Sequence, residues 1–168
     1  METTDFDDFV RATSGRLLGA ARLLCGSVDR AEDLVQDAYA RAYLKWDRIR
    51  DEEPYAYVRR IVINRNTDWW RGGWWREHPR DYIEDHPART DFVSDLATRD
   101  SVYRSLRELT RRERAVIVLR YFEGASEKEI ADILNVAVGT VKSTANRALT
   151  KMRRSTHLTL DIEEEADD

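Results

Sequence analysis

Residues 110–152 constrain the fold more strongly than any other part of this chain, because their capping signals and apolar spacing predict three consecutive short helices. Two pairs have the spacing of a capping box, in which a hydroxyl accepts the backbone N–H three residues on and a glutamate reaches back: Thr110 with Glu113, and Ser126 with Glu129. Gly124 follows the apolar run 116–122, where a helix end favours a residue that tolerates the left-handed conformation. A helix from about 127 to 134, a turn at 135–137 and a helix from about 139 to 153 complete a predicted helix-turn-helix.

The last of these helices is predicted to have an apolar and a polar face. Its inward face recurs at steps of three and four residues: Val141, Ala145, Ala148, Leu149 and Met152. Its outward face carries Thr140, Lys142, Ser143, Asn146, Arg147, Thr150 and Lys151, and no acid lies there between 140 and 150. Such side chains reach phosphates and base edges in a major groove. The alternative is a solvated face on a small helical bundle, but the tight turn and the missing acids favour duplex DNA.

Charge is distributed unevenly along the 168 residues, whose formal net charge is −4. Residues 1–98 carry 15 basic and 19 acidic side chains, residues 99–157 carry 13 and 7, and residues 158–168 carry six acids and no base. A basic segment beside an acidic one predicts two surfaces with different partners. We predict a domain at 1–76, a linker at 77–98, a DNA-binding domain at 99–156 and a disordered acidic tail at 157–168.

The first half is predicted to be helical as well, which makes the fold all-α with two small helical domains. Helices are expected at about 6–25, 29–46 and 54–71, with Asp29 and Glu32 as a capping box, a loop at 47–53 and Pro54 in a first turn. Cys25 is the only cysteine and the three histidines lack zinc-ligand spacing, so no metal site and no cofactor are predicted. No apolar run is long enough for a membrane span, and we expect a cytoplasmic protein.

The segment RRIVINRNTDWWRGGWWRE (residues 59–77) combines cations, amides and aromatic rings: Arg59, Arg60, Arg65, Arg71, Arg76, Asn64, Asn66, Trp69, Trp70, Trp74 and Trp75. Arginines that follow phosphates and rings that stack on bases are typical of sites for single-stranded nucleic acid. The alternative is packing, because Trp69 continues the apolar face of its helix and a tryptophan cluster can cover a core or bind a protein.

The order of these segments resembles the bacterial RNA polymerase sigma factors of the extracytoplasmic-function (ECF) class. Residues 29–49, DRAEDLVQDAYARAYLKWDRI, resemble the core-polymerase-binding helix, and residues 54–71, PYAYVRRIVINRNTDWWR, the promoter-melting helix. Residues 109–149, LTRRERAVIVLRYFEGASEKEIADILNVAVGTVKSTANRAL, resemble the C-terminal helix-turn-helix. The resemblance covers about 6–154, and the WWRGGWW stretch is similar to the actinobacterial, sigma-E-like subgroup.

The resemblance implies a non-enzymatic subunit that binds core RNA polymerase, through the beta-prime clamp and the beta flap, and opens promoter DNA. The clamp would meet Asp33, Leu34, Gln36, Asp37 and Arg41. The melted strand would meet Arg60, Asn64, Arg65 and Asp68, with the loop 47–53 holding a flipped base through its backbone because its side chains are acidic. The upstream duplex would meet Thr140, Lys142, Ser143, Asn146 and Arg147. An anti-sigma factor is a further implied partner.

Two features of the sequence depart from the family pattern. Many relatives carry an arginine and a larger apolar residue at the positions of Thr144 and Ala145, so we expect a different upstream promoter sequence. The acidic tail is also outside the pattern.

Two other functions are alternatives to a sigma factor. A two-domain regulator that binds duplex operators is the main alternative, but it has no need of a helix that holds single strands. An enzyme is disfavoured because the sequence has no nucleophile–base set and no phosphate-binding glycine loop.

Overall fold

The computed structural model describes the backbone of residues 2–71 and 96–155, and the side chains of 5–68 and 100–155. Within these ranges every regular element is helical, which confirms the all-α class. The chain divides into two compact units, Met1–His86 and Pro87–Asp168. The dividing point falls inside the predicted linker, but most of that linker, the tryptophans at 74 and 75 and the acidic tail lie outside the described residues.

The first unit contains four helices: α1 (Glu2–Cys25), α2 (Val28–Tyr43), α3 (Trp46–Ile49) and α4 (Pro54–Arg71). Gly26, at a φ of +69°, ends α1 in the left-handed conformation that glycine adopts without strain. Ser27 then caps α2, and its hydroxyl accepts the Arg30 N–H at 3.3 Å. The predicted Asp29–Glu32 capping box is therefore wrong. The helix begins one residue earlier, and Asp29 instead lies in its first turn, where a carboxylate complements the helix dipole.

The predicted loop at 47–53 begins with a single helical turn, which the sequence reasoning missed. Trp46 and Ile49 are buried in this turn, α3, while residues 50–53 form the actual loop. Pro54 begins α4, as its lack of an N–H predicts. We refer to residues 50–53 as the α3–α4 loop.

The core of the first unit is built from one apolar face of each long helix. Leu17 and Ala21 of α1, Leu34 and Ala38 of α2, and Val58 and Val62 of α4 are almost completely buried. Arg59 and Asn66 also lie on the buried side of α4. They were counted among the nucleic-acid contacts from sequence, and this is wrong because the helix period turns them towards the protein interior.

The second unit contains α5 (Leu96–Arg107), α6 (Arg111–Ile117), a π-helical segment (Val118–Phe122), α7 (Glu127–Leu134) and α8 (Val138–Arg154). The first three residues of α5 had been assigned to the linker. Both capping boxes are present, at Thr110–Glu113 and Ser126–Glu129, and Gly124 has a φ of +67°. Asn135, also left-handed at φ 53°, ends α7 and leads through a short turn to α8. The helix-turn-helix prediction is confirmed.

An ion pair between a buried carboxylate and a half-exposed lysine joins the beginning of α6 to the end of α8. Lys151 Nζ donates to both carboxylate oxygens of Glu113, at 3.0 and 2.8 Å, and the Thr110 N–H donates to one of them at 2.9 Å. Burial by itself would raise the pKa of the Glu113 carboxyl, but the hydrogen bonds from Lys151 and Thr110 outweigh it and hold that pKa below its ordinary value. The carboxylate is therefore kept ionised inside the unit.

Among the helices of the described ranges, none combines the length and the apolar character needed to cross a bilayer.

Candidate nucleic-acid interface

The outward face of α8 presents polar side chains at successive turns. Lys142, Ser143, Asn146 and Arg147 are exposed, and Thr140 is partly exposed. The Ser143 hydroxyl donates to the Thr140 carbonyl at 3.1 Å, so its remaining capacity towards a ligand is as an acceptor. Asn146 and Arg147 supply the amide and the guanidinium that pair in a bidentate manner with adenine and guanine.

Two of the cations on α8 are held by neighbours in the same unit. Glu127, at the start of α7, lies 3.6 Å from Lys142 Nζ and 3.0 Å from Arg120 Nη1 of the π-helical segment. Arg147 Nη2 donates to the Thr144 hydroxyl at 3.3 Å. These contacts limit the rotamers of the long side chains before any ligand arrives, which lowers the entropy lost on binding.

The amino-terminus of α8 is the part of this face that has no side-chain cap. Ala137 occupies the capping position and has no side-chain acceptor, and Val138 and Gly139 are exposed. Backbone N–H groups at such a helix end attract phosphate, because the helix dipole favours negative charge there. This end and the polar face of α8 together form a surface suited to duplex DNA.

The first unit carries a second polar surface, on α2 and α4. Asp33, Gln36 and Arg41 are exposed and Asp37 is partly exposed on α2; Arg60, Asn64, Arg65 and Asp68 are exposed on α4. One carboxylate connects the two helices, since Asp37 Oδ2 accepts from Arg41 Nε and from Arg65 Nε, each at 2.9 Å. Residues predicted separately for polymerase docking and for strand contact are thus in direct contact.

A groove of about 370 Å³ lies between α2 and α4 beside this carboxylate. Its lining combines an aromatic ring, aliphatic side chains, an amide, three cations and one carboxylate: Arg41, Leu44, Lys45, Tyr57, Ile61, Asn64, Arg65 and Asp68. Leu44 is 83% exposed, which is unusual for so apolar a side chain. Aromatic, amide and cationic groups at one site are the combination that binds bases together with phosphates.

Comparison with known proteins identifies the family. Residues 9–76 match the family described as "Sigma-70 region 2", and residues 99–152 match "Sigma-70, region 4". The chain is 38% identical to the RNA polymerase sigma-E factor of Streptomyces coelicolor over 153 residues, which cover 90% of this chain and 86% of that protein. It is 28% identical to the ECF RNA polymerase sigma factor SigW of Bacillus subtilis, over 89% of this chain and 87% of that protein. The chain belongs to the ECF class of RNA polymerase sigma factors.

Solved structures agree with this assignment. The sigma factor RpoE of Bartonella quintana, in a co-crystal structure with the anti-sigma factor NepR, is similar with a TM-score of 0.71 and 27% identity, covering 94% of this chain and 98% of that chain. Sigma factors bind core RNA polymerase and promoter DNA to start transcription and have no catalytic activity of their own. Among the described residues, no cluster of His, Cys, Asp or Glu has the arrangement of a metal site.

Leu34 was placed wrongly by the sequence reasoning: predicted to contact polymerase, it is 3% exposed and belongs to the core of its own unit. Lys151 is exposed, as predicted for the outward face of α8, and its ammonium is bound to Glu113. Thr144 and Ala145 are each 1% exposed, so neither side chain can read a promoter directly. Ala145 was predicted to face inward, and Thr144 lies beside it on the buried face of α8, the helix that packs against α6 and α7.

Proposed function

We propose a division of labour among three surfaces of this sigma factor. The exposed side of α2, with Asp33, Gln36, Asp37 and Arg41, docks core polymerase, and the α4 side of the groove holds the melted promoter strand. The outward face of α8 reads the upstream duplex. The observation that carries the proposal is the segregation of charge and side-chain type: acids and amides on α2, an aromatic and cationic groove beside α4, and amide and guanidinium groups on α8.

The strand-contact surface is supported by the geometry of α4. Arg60, Asn64 and Asp68 recur at four-residue intervals, and Arg65 lies beside Asn64, so all four reach the same side of the helix. The α3–α4 loop lies at the amino-terminal end of this helix, where we propose that its backbone groups receive a base flipped out of the duplex. Its acids at 51–53 are exposed and repel phosphate, which is why backbone groups are favoured.

Docking on polymerase is best probed at Asp33. This carboxylate is exposed, and among the described residues no ion pair engages it, whereas Asp37 is already bonded to two arginines. Charge complementarity with a basic partner would therefore be available at Asp33 without breaking contacts in the sigma factor. The beta-prime clamp is the proposed partner here, and the beta flap is the proposed partner of the second unit.

We further propose a cytoplasmic location, because polymerase and promoter DNA are found there, and an anti-sigma factor as an additional partner. The second proposal rests on the similar Bartonella quintana sigma factor, whose structure contains the anti-sigma factor NepR.

In vitro transcription tests the proposed function as a whole. The purified full-length protein is mixed with core polymerase and a library of genomic promoter fragments, and transcripts are sequenced. We expect initiation at a defined set of promoters that depends on this protein. A protein that footprints intact duplex alone but directs no initiation would instead be the two-domain regulator considered from sequence.

A further inference from the structure

The amino-terminal end of α1 holds the one-turn helix α3 through a single tryptophan. The Trp46 indole N–H donates to Asp5 Oδ2 at 3.2 Å. The Trp46 ring lies 5.0 Å from the Phe6 ring, centroid to centroid, in an edge-to-face arrangement, and 5.0 Å from the Phe9 ring. Trp46 is 6% exposed and Phe6 is 8% exposed, so the contact is a packed one.

Helix α3 cannot hold its position without such contacts. It has four residues, and Lys45 at its capping position makes no side-chain hydrogen bond to it. Isolated helices shorter than about 12 residues are marginal in water, and one turn has almost no stability of its own. Its position is therefore set by what surrounds its two buried side chains, Trp46 and Ile49.

The α3–α4 loop is attached directly to this anchored turn. The Arg50 N–H donates to the Trp46 carbonyl at 2.9 Å, and the Glu52 N–H donates to the Ile49 carbonyl at 3.1 Å. The Arg50 guanidinium also lies 3.8 Å from Asp5 Oδ2, the same oxygen that accepts from Trp46. Asp5 thus contacts both the start of α3 and the first residue of the loop.

Asp5 and Phe6 lie outside the segment that the family description accounts for, which begins at residue 9. Phe9 is inside it, so Trp46 is contacted both by a residue of the matched segment and by two residues that precede it. We propose that Asp5 and Phe6 are positioning residues that fix the shape of the α3–α4 loop and thereby its choice of base in the melted strand. The proposal rests on the strand-contact function proposed above for that loop.

The first measurement tests whether Asp5 and Phe6 hold the α3–α4 loop in place. Amide hydrogen exchange at residues 47–53 is compared between the full-length protein and three variants: Asp5→Ala, Asp5→Asn and Phe6→Leu. We expect faster exchange at 50–53 in Asp5→Ala and Phe6→Leu. Asp5→Asn keeps an acceptor for the indole but loses the charge near Arg50, so it should fall between Asp5→Ala and the parent. Asp8→Asn is the matched control, because within residues 5–68 and 100–155 the ion-pair partner of Asp8 is Arg11, on an exposed part of the same helix.

The second measurement reads base choice. Holoenzyme assembled with core polymerase selects from single-stranded oligonucleotides randomised at one position of the melted element. We expect Asp5→Ala to reduce the preference for the favoured base by about two- to tenfold, the range that corresponds to one hydrogen bond. Affinity for core polymerase should be unchanged, which separates positioning from general unfolding.

A loop variant distinguishes the failure of this inference from that of the proposed function. The loop variant is Glu52→Pro, which removes the Glu52 N–H that bonds to the Ile49 carbonyl and so alters the loop backbone. If Glu52→Pro changes base preference while Asp5→Ala and Phe6→Leu change neither preference nor exchange, the loop role stands and the positioning role of Asp5 and Phe6 is overturned. If the loop variant leaves base preference unchanged, the loop does not read the strand, and both proposals are overturned together.

Discussion

Glu113 takes part both in the cap of its own helix and in a contact with another helix. Its carboxylate closes the capping box of α6 and also binds Lys151 near the end of α8, 38 residues away in sequence. The carboxyl is 4% exposed, so its charge depends on these donors for compensation. A local helix signal thereby fixes a tertiary contact.

Acid should destabilise the second unit through this group. The pKa of Glu113 is lower in the folded than in the unfolded protein. The ionised carboxylate therefore makes its full contribution to the free energy of unfolding at any pH above the pKa of Glu113 in the unfolded protein. That contribution is lost as pH falls through the folded pKa. Urea unfolding measured from neutral to acidic pH should show a steeper loss of stability for the parent than for Glu113→Gln. Equal slopes would mean that Glu113 does not carry the effect.

Removal of Lys151 should show what the buried Glu113 carboxylate gains from its charged donor. We expect Lys151→Met to lower the free energy of unfolding by about 1–3 kcal/mol, since the carboxylate loses the lysine and keeps the Thr110 N–H. Lys128→Met is the control, because Lys128 is an exposed lysine on α7. A Lys151→Met protein as stable as the control would show that the ion pair contributes nothing.

Asp37 Oδ2 accepts hydrogen bonds from both Arg41 and Arg65, so a substitution of Asp37 has more than one effect. Asp37→Asn releases Arg41 and Arg65 as well as removing a possible docking charge. We therefore expect Asp33→Lys to weaken binding to core polymerase by about tenfold, or ~1.4 kcal/mol, with little effect on single-stranded oligonucleotides. Fluorescence titration with core polymerase measures this; unchanged affinity for Asp33→Lys would remove α2 as the docking helix.

At the scale of elements, the local signals of the sequence were sufficient for α6, α7 and α8. Both capping boxes, Gly124 and Pro54 act within a few residues, and each was predicted correctly. Ser27 was missed because Asp29 and Glu32 offered the same spacing two residues later. The burial of Thr144 follows from the helical period, because it lies three residues after Val141 on the inward face. The pairing of Lys151 was not predictable, because it depends on Glu113 of α6, 38 residues earlier in sequence.

The proposed contact of α8 with duplex DNA gives a test of direct readout. Arg147→Ala should cost about 1–3 kcal/mol of promoter affinity and relax discrimination at one base pair, if its guanidinium pairs with a base edge. Arg112→Ala is the matched control, because Arg112 is an exposed arginine of α6 and lies outside the polar face of α8. Electrophoretic mobility shifts on a set of promoter variants measure both effects. A loss that is uniform across the variants would identify Arg147 as a phosphate contact.

At the scale of the whole molecule, opposite charges are placed on different segments of one chain. Residues 99–157 carry 13 bases and 7 acids, whereas residues 158–168 carry only acids. In a chain of this kind the acidic segment can compete with DNA for the basic segment. Salt weakens that competition because it screens the charges. The charge pattern was fully readable from sequence, since it needs no knowledge of contacts.

Deletion of residues 161–168 should raise the affinity for nonspecific DNA at low salt. The increase should disappear at high salt, because the masking is electrostatic. Fluorescence anisotropy with a labelled duplex of arbitrary sequence measures it across a salt series. The same affinity for the deleted and full-length proteins at low salt would assign the acids a solvating role alone.

The π-helical segment determines how the residues that follow it are rotated about the helix axis relative to α6. Its Glu123 N–H bonds to the Val118 carbonyl five residues back, so the turn accommodates one residue more than an α-helix would. Val118 and Leu119 consequently face inward while Tyr121 and Phe122 are left in solvent. Loss of one residue here would rotate the chain by about 100° relative to Ser126. The spacing between the two capping boxes therefore matters as much as the side chains of α8 to the proposed contact with DNA.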